Sequence, residues 1–435
     1  MGKIDVNNTF SPAQEIMVPQ RFAGRKEPLK KAIQALGTAG RSILVFGERG
    51  VGKTSFVEMV KLIAQDQVEL IHRYKFQHLK PSHGFQYKVA CVECDEDVDT
   101  TEAVLQRLIT SPEGIRGLVG PRMRKIEQVS KDTYTLNVLR KLMVIDSSEE
   151  QKVIKEEFQE KSLFELFTNL VLLIIREVLE PDEGLLIVVD EFDQVKNKRG
   201  FSSLIKTLSK NKVKFLVSGV AESYFELLGG HASIERQLHQ GTIMVTSMSR
   251  DEVEEIFTLV TQNTKGLVTF EGAFKDEVFN KSHGFPYFVQ LFGQLALTNF
   301  VEIYGADRAV LLTKEYLTRG LEDFASHDPK NEEIYSSIIG SDPDREMVLK
   351  ALAMHPSERI RESGAIRYCE IRNVKSPKRI LATLLAHKDP QVLSRLDKDF
   401  VRFREPLFKI YANIRKPLLL EETANGYRIP IGSLS

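Results

Sequence analysis

The segment whose residue types and spacing most clearly indicate a chemical role is rich in glycine and ends in lysine and threonine. It matches the pattern G-x-x-x-x-G-K-[ST] in full, and with the serine that follows it consists of Gly47, Glu48, Arg49, Gly50, Val51, Gly52, Lys53, Thr54 and Ser55. Such glycines let backbone N–H groups turn towards phosphate oxygens, and Lys53 would reach the β- and γ-phosphates of a nucleotide. The Thr54 hydroxyl would be a ligand of Mg²⁺. The segment therefore predicts a site for a nucleoside triphosphate with Mg²⁺.

Two adjacent carboxylates form the second candidate group. The apolar run at residues 185–189 is followed directly by Asp190 and Glu191. At the end of a central parallel strand, Asp190 would hold Mg²⁺, directly or through water. Glu191 would orient and deprotonate an attacking water molecule. The pair predicts that the nucleotide is hydrolysed as well as bound.

The elements that position these residues are predicted from hydrophobic patterning. Short apolar runs indicate strands at residues 42–46, 87–93, 185–189, 213–217 and 242–246. Periodic segments between them indicate helices, one of which follows the glycine-rich loop. Strands that alternate with helices predict an α/β fold with a parallel three-layer sheet.

The chain divides into three predicted domains. Residues 1–250 form a nucleotide-binding domain with an insertion at about 111–161, residues 251–340 a helical lid, and residues 341–435 a winged-helix domain. The last prediction rests on three short helical patterns followed by an alternating strand pair, which is the order of elements in a winged helix.

The predicted winged helix carries the candidate DNA contacts. Basic residues lie at the start of its third helix and on its wing, namely Lys378, Arg379, Arg402 and Arg404. From residue 341 to the end the chain has about 18 basic and 12 acidic residues, although the whole molecule has zero net charge. A local positive surface suits contact with DNA phosphates. A winged helix that docks a protein is the alternative that the sequence leaves open.

Composition narrows the class of protein. The 435 residues are 42% hydrophobic and 28% charged, which indicates a soluble globular chain of roughly two or three domains. No apolar run is long enough to span a bilayer, and the first residues lack the apolar core of a signal peptide. The 3 cysteines cannot build a disulfide framework. We therefore expect a cytoplasmic protein without membrane contact.

Several segments together resemble the AAA+ ATPases of the origin-recognition-complex type and the related STAND signalling ATPases. Besides the two motifs above, the resemblance is carried by the short sequences Phe22-Ala-Gly-Arg25, Asp190-Glu-Phe-Asp193 and His283-Gly-Phe-Pro-Tyr287. It covers nearly the whole chain except the insertion. It implies a P-loop fold of the AAA+ type with a helical lid and a C-terminal winged helix. It also implies ATP and Mg²⁺ as cofactors.

The resemblance assigns roles to further residues. In these families the segment ahead of the glycine-rich loop lines the adenine pocket, which implies Val18, Phe22 and Arg25 here. Ser218 ends the fourth strand, where the families place a polar sensor near the γ-phosphate. Pro286 lies in the lid element that contacts nucleotide in STAND proteins.

Arg236 falls in the region where AAA+ relatives carry an arginine finger. Such a guanidinium reaches the γ-phosphate bound to a neighbouring subunit, because it is always charged and presents several donors. The assignment implies a homo-oligomer, and an ordinary surface arginine is the alternative.

Two functional hypotheses follow. The pair Asp190-Glu191 is the hydrolytic AAA+ form and predicts an ATP-controlled assembly or recruitment factor that acts on DNA. The element around Pro286 resembles STAND proteins, and no arginine beside it matches the second sensor of origin-type proteins. That resemblance predicts a switch whose ATP state binds a protein effector without DNA contact.

Overall fold

The computed structural model describes residues 3–119, 163–209, 212–229, 241–355, 357, 359–423 and 426–428. These residues form two compact units, which are Glu15–Thr246 and the combination of Met1–Gln14 with Ser247–Ser435. The predicted insertion is described only as far as Val119, and Arg236 lies outside the described residues. Among the described residues, no helix has the length and apolar character needed to span a membrane.

Up to residue 246, helices and strands alternate as the sequence predicted. The helices are α1 (Val6–Thr9), α2 (Lys26–Gly37), α3 (Lys53–Ala64), α4 (Glu69–Arg73), α5 (Thr101–Thr110), α6 (Ile115–Val119), α7 (Leu163–Leu173), α8 (Phe201–Leu208) and α9 (Tyr224–Leu228). The strands are β1 (Ile43–Gly47), β2 (Tyr87–Glu93), β3 (Gly184–Asp190), β4 (Val213–Val220) and β5 (Thr242–Met244).

These strands form a five-stranded sheet in the order β2-β3-β4-β1-β5, and every pairing is parallel. Alternate residues along a strand point to opposite faces, so a sheet buried on both faces needs continuous apolar strands, and every residue of β3 is buried. Residues of α5, α7 and α8 share one core with β3 and β4. Helices α2 and α3 pack against β1. The predicted three-layer α/β sheet is confirmed.

After residue 246 the chain is mostly helical. The helices are α10 (Arg250–Asn263), α11 (Gly272–Ser282), α12 (Pro286–Tyr304), α13 (Lys314–Ser326), α14 (Pro329–Ile339), α15 (Pro343–Ala353), α16 (Glu362–Ile371), α17 (Pro377–Ala386) and α18 (Pro406–Ile414). The strands are β6 (Val268–Phe270), β7 (Val310–Leu312), β8 (Ile360–Arg361), β9 (Leu393–Arg395), β10 (Phe400–Phe403), β11 (Glu421–Thr423) and β12 (Gly426–Arg428).

The predicted lid is not entirely helical. Strands β6 and β7 lie more than forty positions apart in the chain and pair in parallel, with Val268 opposite Val310. Each strand has only three residues, which is too short for periodicity to distinguish it from a loop. The pair joins the start of α11 to the start of α13.

The C-terminal residues have the order of elements expected of a winged helix. Helices α15, α16 and α17 are followed by β9 and β10, which pair antiparallel, and β8 joins the other edge of β10. Their core also includes Tyr335, Ile338 and Ile339 of α14. Helix α14, which the sequence placed in the lid, therefore packs with the C-terminal elements.

Candidate nucleotide-binding site

The carboxyl end of β1 leads into the phosphate loop, residues 47–54. All of β1 is buried, and α3 begins at Lys53 directly after Gly52. Gly52 has φ 88°, a left-handed conformation that glycine adopts without strain. A side chain at Gly47 would place its Cβ 2.0 Å from the carbonyl oxygen of Val245. Glycine at both positions therefore lets the backbone make the turn that leads into α3. The first N–H groups of that helix lack partners within the helix and can donate to a phosphate.

The ammonium group of Lys53 lies against the phosphate loop. Its Nζ donates to the backbone oxygen of Glu48 at an N···O distance of 2.8 Å. Burial lowers the pKa of Lys53, and the carboxylates of Asp193, Asp190 and Glu191 oppose that shift. A bound polyphosphate would, like these carboxylates, stabilise the charged form of Lys53. Lys53 is thus a partly desolvated cation at the place where the motif predicts phosphate.

Strand β3 ends at Asp190, the predicted metal ligand, which is 8% exposed. Its Oδ1 accepts the N–H of Glu191 at 2.8 Å and the hydroxyl of Ser218. Ser218 lies on β4, the strand next to β3. The two donors hold the carboxylate at the strand end. Ser218 contacts this carboxylate, and its role as a γ-phosphate sensor stays a prediction.

Glu191 has properties that suit a general base. Its φ of 53° lies in the left-handed region, which is uncommon for residues other than glycine. Burial raises the pKa of its carboxyl, and the negative charges of Glu93, Asp190 and Asp193 raise it further. Glu93 ends β2 in register with Asp190. A raised pKa strengthens Glu191 as a proton acceptor compared with an exposed glutamate.

The oxygen donors at this edge fit Mg²⁺ that is bound together with phosphate. Thr54 offers a hydroxyl in the first turn of α3, and Asp190 offers a carboxylate, both of which are hard oxygen ligands. In the described part of the chain, no group of three or more His, Cys, Asp or Glu side chains is arranged to hold an ion. A cation here would complete its coordination with nucleotide and water oxygens, as Mg²⁺ commonly does.

The residues predicted to line an adenine pocket differ in exposure. Val18 is 43% exposed, whereas Phe22 and Arg25 are buried. Nη2 of Arg25 donates to the backbone oxygen of Val51 at 2.8 Å. Arg25 therefore contacts the phosphate loop, and Val18 is the member of the three with open surface for a base.

Helix α4 holds the segment before α2 through contacts that the sequence analysis missed. Arg73 donates from Nη1 to the carbonyl of Phe22 at 2.7 Å and from Nη2 to the carbonyl of Pro19 at 2.8 Å. The Tyr74 hydroxyl donates to the carbonyl of Gly24 at 3.0 Å. Each partner lies 50 or more positions away, so no motif or periodicity signals these contacts.

Two residues at the start of this unit also approach the site. The N–H of Ile16 donates to the hydroxyl of Ser55 at 2.9 Å. Burial raises the pKa of Glu15, and the negative charges of Glu93 and Asp190 raise it further. The Ser55 hydroxyl, predicted to bind nucleotide, thus bonds to the backbone of the N-terminal segment.

The comparison with protein families decides the class. The model of the family "Novel STAND NTPase 1" matches residues 15–320. The chain belongs to this family. The matched residues contain the phosphate loop, the pair Asp190-Glu191 and Pro286. The predicted resemblance to the origin-type and STAND group of P-loop ATPases is thereby confirmed.

Solved structures are similar to this STAND NTPase over most of its length, but only loosely. The Walker-type ATPase of Pyrococcus abyssi has 15% identity and a TM-score of 0.45, covering 92% of this chain and 98% of that one. The Aeropyrum pernix ORC1 protein in complex with DNA has 12% identity and a TM-score of 0.43, covering 92% of this chain and 95% of that one. The RuvB Holliday junction branch migration motor of Thermotoga maritima has 13% identity and a TM-score of 0.42, covering 96% of this chain and 97% of that one. No curated protein matches the chain.

One predicted site residue of this STAND NTPase, Pro286, lies outside the unit that holds the phosphate loop. It begins α12 in the unit formed by Met1–Gln14 and Ser247–Ser435. Its contact with nucleotide stays a prediction. The finger role of Arg236 also stays a prediction, because Arg236 is outside the described residues.

The four predicted DNA-binding residues of this STAND NTPase lie among its C-terminal elements. Lys378 and Arg379 are exposed in the first turn of α17, and Arg404 is exposed just after β10. Arg402 is half-buried on β10, and its Nε lies 3.4 Å from the Ser394 hydroxyl of β9. The accessible cations that DNA contact would require thus lie at the start of α17 and just after β10.

Proposed function

We propose that this STAND NTPase binds ATP together with Mg²⁺ and hydrolyses it. One observation carries the proposal: a phosphate loop with Lys53, the buried Asp190 and the adjacent Glu191 meet at the carboxyl ends of parallel strands in one sheet. A cation for phosphate, a carboxylate for the metal and a carboxylate of raised pKa for water are the groups that hydrolysis of a phosphoanhydride requires.

Each residue has a separate role in the proposed reaction. Loop N–H groups and Lys53 bind the β- and γ-phosphates. Thr54 and Asp190 would hold Mg²⁺, which would supply positive charge at the phosphates. Glu191 takes the proton of the attacking water. Ser218 keeps the Asp190 carboxylate in place through its hydrogen bond.

The test is a pair of variants measured for binding and for phosphate release. Glu191→Gln should bind ATP as the wild type does and hydrolyse it about 10²–10⁴-fold more slowly, since it loses a general base. Lys53→Ala should lose tight ATP binding. Glu96→Gln, an exposed glutamate after β2, is the matched control and should behave as wild type. Unchanged turnover of Glu191→Gln, or wild-type turnover that persists in EDTA, contradicts the proposal.

The proposed use of this hydrolysis is ATP-controlled assembly or recruitment on DNA. Support comes from the accessible cations of the C-terminal elements and from the net charge of about +6 beyond residue 341. A groove of about 540 Å³ lies between α17 and β9, lined by residues that include Ala382, Arg395 and Arg404. A positive groove beside a recognition helix suits a phosphate backbone.

DNA contact is tested with the double variant Lys378→Glu, Arg379→Glu. It should weaken DNA binding and leave ATP binding unchanged, and wild-type affinity should fall steeply with salt. The matched control replaces Arg308 and Lys330, two exposed cations of the same unit, with glutamate. An electrophoretic shift that is absent in the wild type, with and without ATP, contradicts DNA contact.

Family membership favours a second candidate function. A STAND NTPase with a hydrolytic site is suited to act as a switch whose ATP state binds a protein effector without touching DNA. Effector capture that requires ATP and survives Lys378→Glu, Arg379→Glu would support the switch. Loss of both effector capture and DNA binding in that variant would favour the first candidate.

A further inference from the structure

A third carboxylate, Asp193, connects the turn after β3 to the end of β4. It lies in the short helical turn Phe192–Gln194, and its Oδ1 accepts the N–H of Val220 at 2.7 Å. Val220 is the last residue of β4 and pairs with Gly47, the first glycine of the phosphate loop. Asp193 thus reaches from the strand that ends in Asp190 to the residue beside the start of the loop.

This approach depends on the glycine that precedes Val220. A Cβ at Gly219 would lie 2.7 Å from Oδ1 of Asp193, 2.9 Å from its backbone nitrogen and 2.6 Å from Cδ1 of Leu227. On the other side of Gly219, Ser218 donates to Asp190. Two carboxylates three residues apart therefore hold β4 on either side of one glycine.

We propose that Asp193 is a positioning residue for turnover. Its hydrogen bond to Val220 keeps β4, and hence Ser218, in place against Asp190. The inference rests on the proposed ATP hydrolysis. It follows that the hydrogen bond supports turnover.

Two substitutions separate the hydrogen bond of Asp193 from its charge. Asp193→Asn keeps an oxygen that can accept from Val220 and removes the charge, so kcat should stay within about threefold of wild type. Gly219→Ala keeps the charge and forces Asp193 away from Val220. Its kcat should fall at least about tenfold, as for a misplaced catalytic group, with ATP affinity unchanged.

The experiment measures the Kd of a fluorescent ATP analogue, the kcat of phosphate release and the thermal unfolding of each variant. Asp182→Asn, an exposed aspartate before the other end of β3, controls for charge removal alone and should match wild type. Asp193→Ala, which loses both the charge and the hydrogen bond, gives the turnover result if Gly219→Ala does not fold; its kcat should fall as well.

A kcat of folded Asp193→Asn as low as that of Asp193→Ala would overturn the inference. So would wild-type kcat in folded Gly219→Ala and Asp193→Ala. A wild-type protein that does not bind ATP would overturn the proposed function together with this inference. ATP hydrolysis by the wild type, with the same kcat in all variants, would overturn the inference alone.

Discussion

At the scale of single residues, side chains from outside the motif shape the phosphate loop. Arg25 precedes the loop by more than twenty positions, is buried, and donates to the carbonyl of Val51. Its own φ of 61° places it in the left-handed region. The backbone turn before α2 therefore aims a guanidinium at the loop, and that contact defines the role we assign to Arg25.

Removal of this guanidinium should weaken nucleotide binding. Arg25→Met keeps much of the apolar stem but leaves the Val51 carbonyl without this donor, which costs about 1.5–3 kcal/mol for a bond from a charged group. We expect a roughly 10–100-fold higher Kd for ATP and a smaller change in kcat at saturation. Isothermal titration and steady-state kinetics measure the two quantities.

Lys26→Met is the control for Arg25→Met, because Lys26 is the exposed neighbour and its loss removes the same charge. A folded Arg25→Met protein with normal ATP affinity would refute the role assigned to Arg25.

At the scale of elements, the short helix α4 supports the segment between residues 18 and 25. A helix of five residues has little stability alone, and tertiary contacts must hold it. Arg73 provides such contacts, because one planar guanidinium donates to two carbonyls of the segment. Helix α4 is therefore an accessory to the predicted adenine pocket.

Arg73→Ala should release that segment and reduce ATP affinity about threefold to thirtyfold, since two hydrogen bonds are lost at a partly exposed position. Turnover at saturating ATP should change less. Arg73→Lys should recover only part of the affinity, because an ammonium lacks the fork geometry. Lys31→Ala, at an exposed position of α2, is the charge control. Equal affinities for Arg73→Ala and wild type would exclude this support.

Helices α14 and α18 are joined by one charged cluster. Glu332 accepts from Nε of Arg415 at 2.5 Å, from its Nη2 at 2.9 Å and from the hydroxyl of Tyr411 at 2.5 Å. These bonds, with Arg415 the largest cause, lower the pKa of Glu332 to about 2. The ionised carboxylate therefore stabilises the packing of α14 on the C-terminal elements.

This stabilisation has a defined pH window. The folded pKa lies below that of the unfolded chain, so the contribution is present above about pH 4.5 and is lost as pH falls towards about 2. Glu332→Gln should lower the unfolding temperature at pH 7 by roughly 1–4 °C, a modest effect because the pair is partly solvated. The difference from wild type should shrink in acid. The exposed Glu333→Gln is the control, and a pH-independent difference would contradict the ion pair.

At the scale of the whole molecule, the open question is whether each active site is completed by a second subunit. The described residues of Glu15–Thr246 supply Lys53, Thr54, Asp190 and Glu191 from one chain. A finger arginine would come from the neighbour, and Arg236 is the residue predicted for it. Assembly would then switch on hydrolysis.

If Arg236 is a finger, hydrolysis per subunit should rise with protein concentration. Arg236→Ala should bind ATP normally and hydrolyse it more slowly, by up to about 10³–10⁵-fold. Mixing Arg236→Ala with Lys53→Ala subunits should restore activity, because a mixed interface joins one intact Lys53 site to one intact Arg236. Arg250→Ala is the control, since Arg250 pairs with Asp276. A flat rate against concentration, with no rescue on mixing, would instead favour a monomeric switch.

Some features of this protein followed from the sequence alone, because their signals are local. The phosphate loop is contiguous, and strand β1 before it is an unbroken apolar run. The continuous burial of β3 likewise required a sheet covered on both faces, and only helices between parallel strands provide that cover. The pair Asp190-Glu191 was recognisable because it ends such a strand.

Tertiary structure decided the features that join distant residues. The contacts of Arg73 with Phe22, and of Asp193 with Val220, link positions 51 and 27 residues apart. The parallel pair β6–β7 and the packing of α14 with the C-terminal core were likewise missed. Periodicity reports which face of an element is apolar, but not which distant donor or strand will meet it. The contacting donor or strand is determined when whole elements pack, because only then is each buried carbonyl hydrogen-bonded.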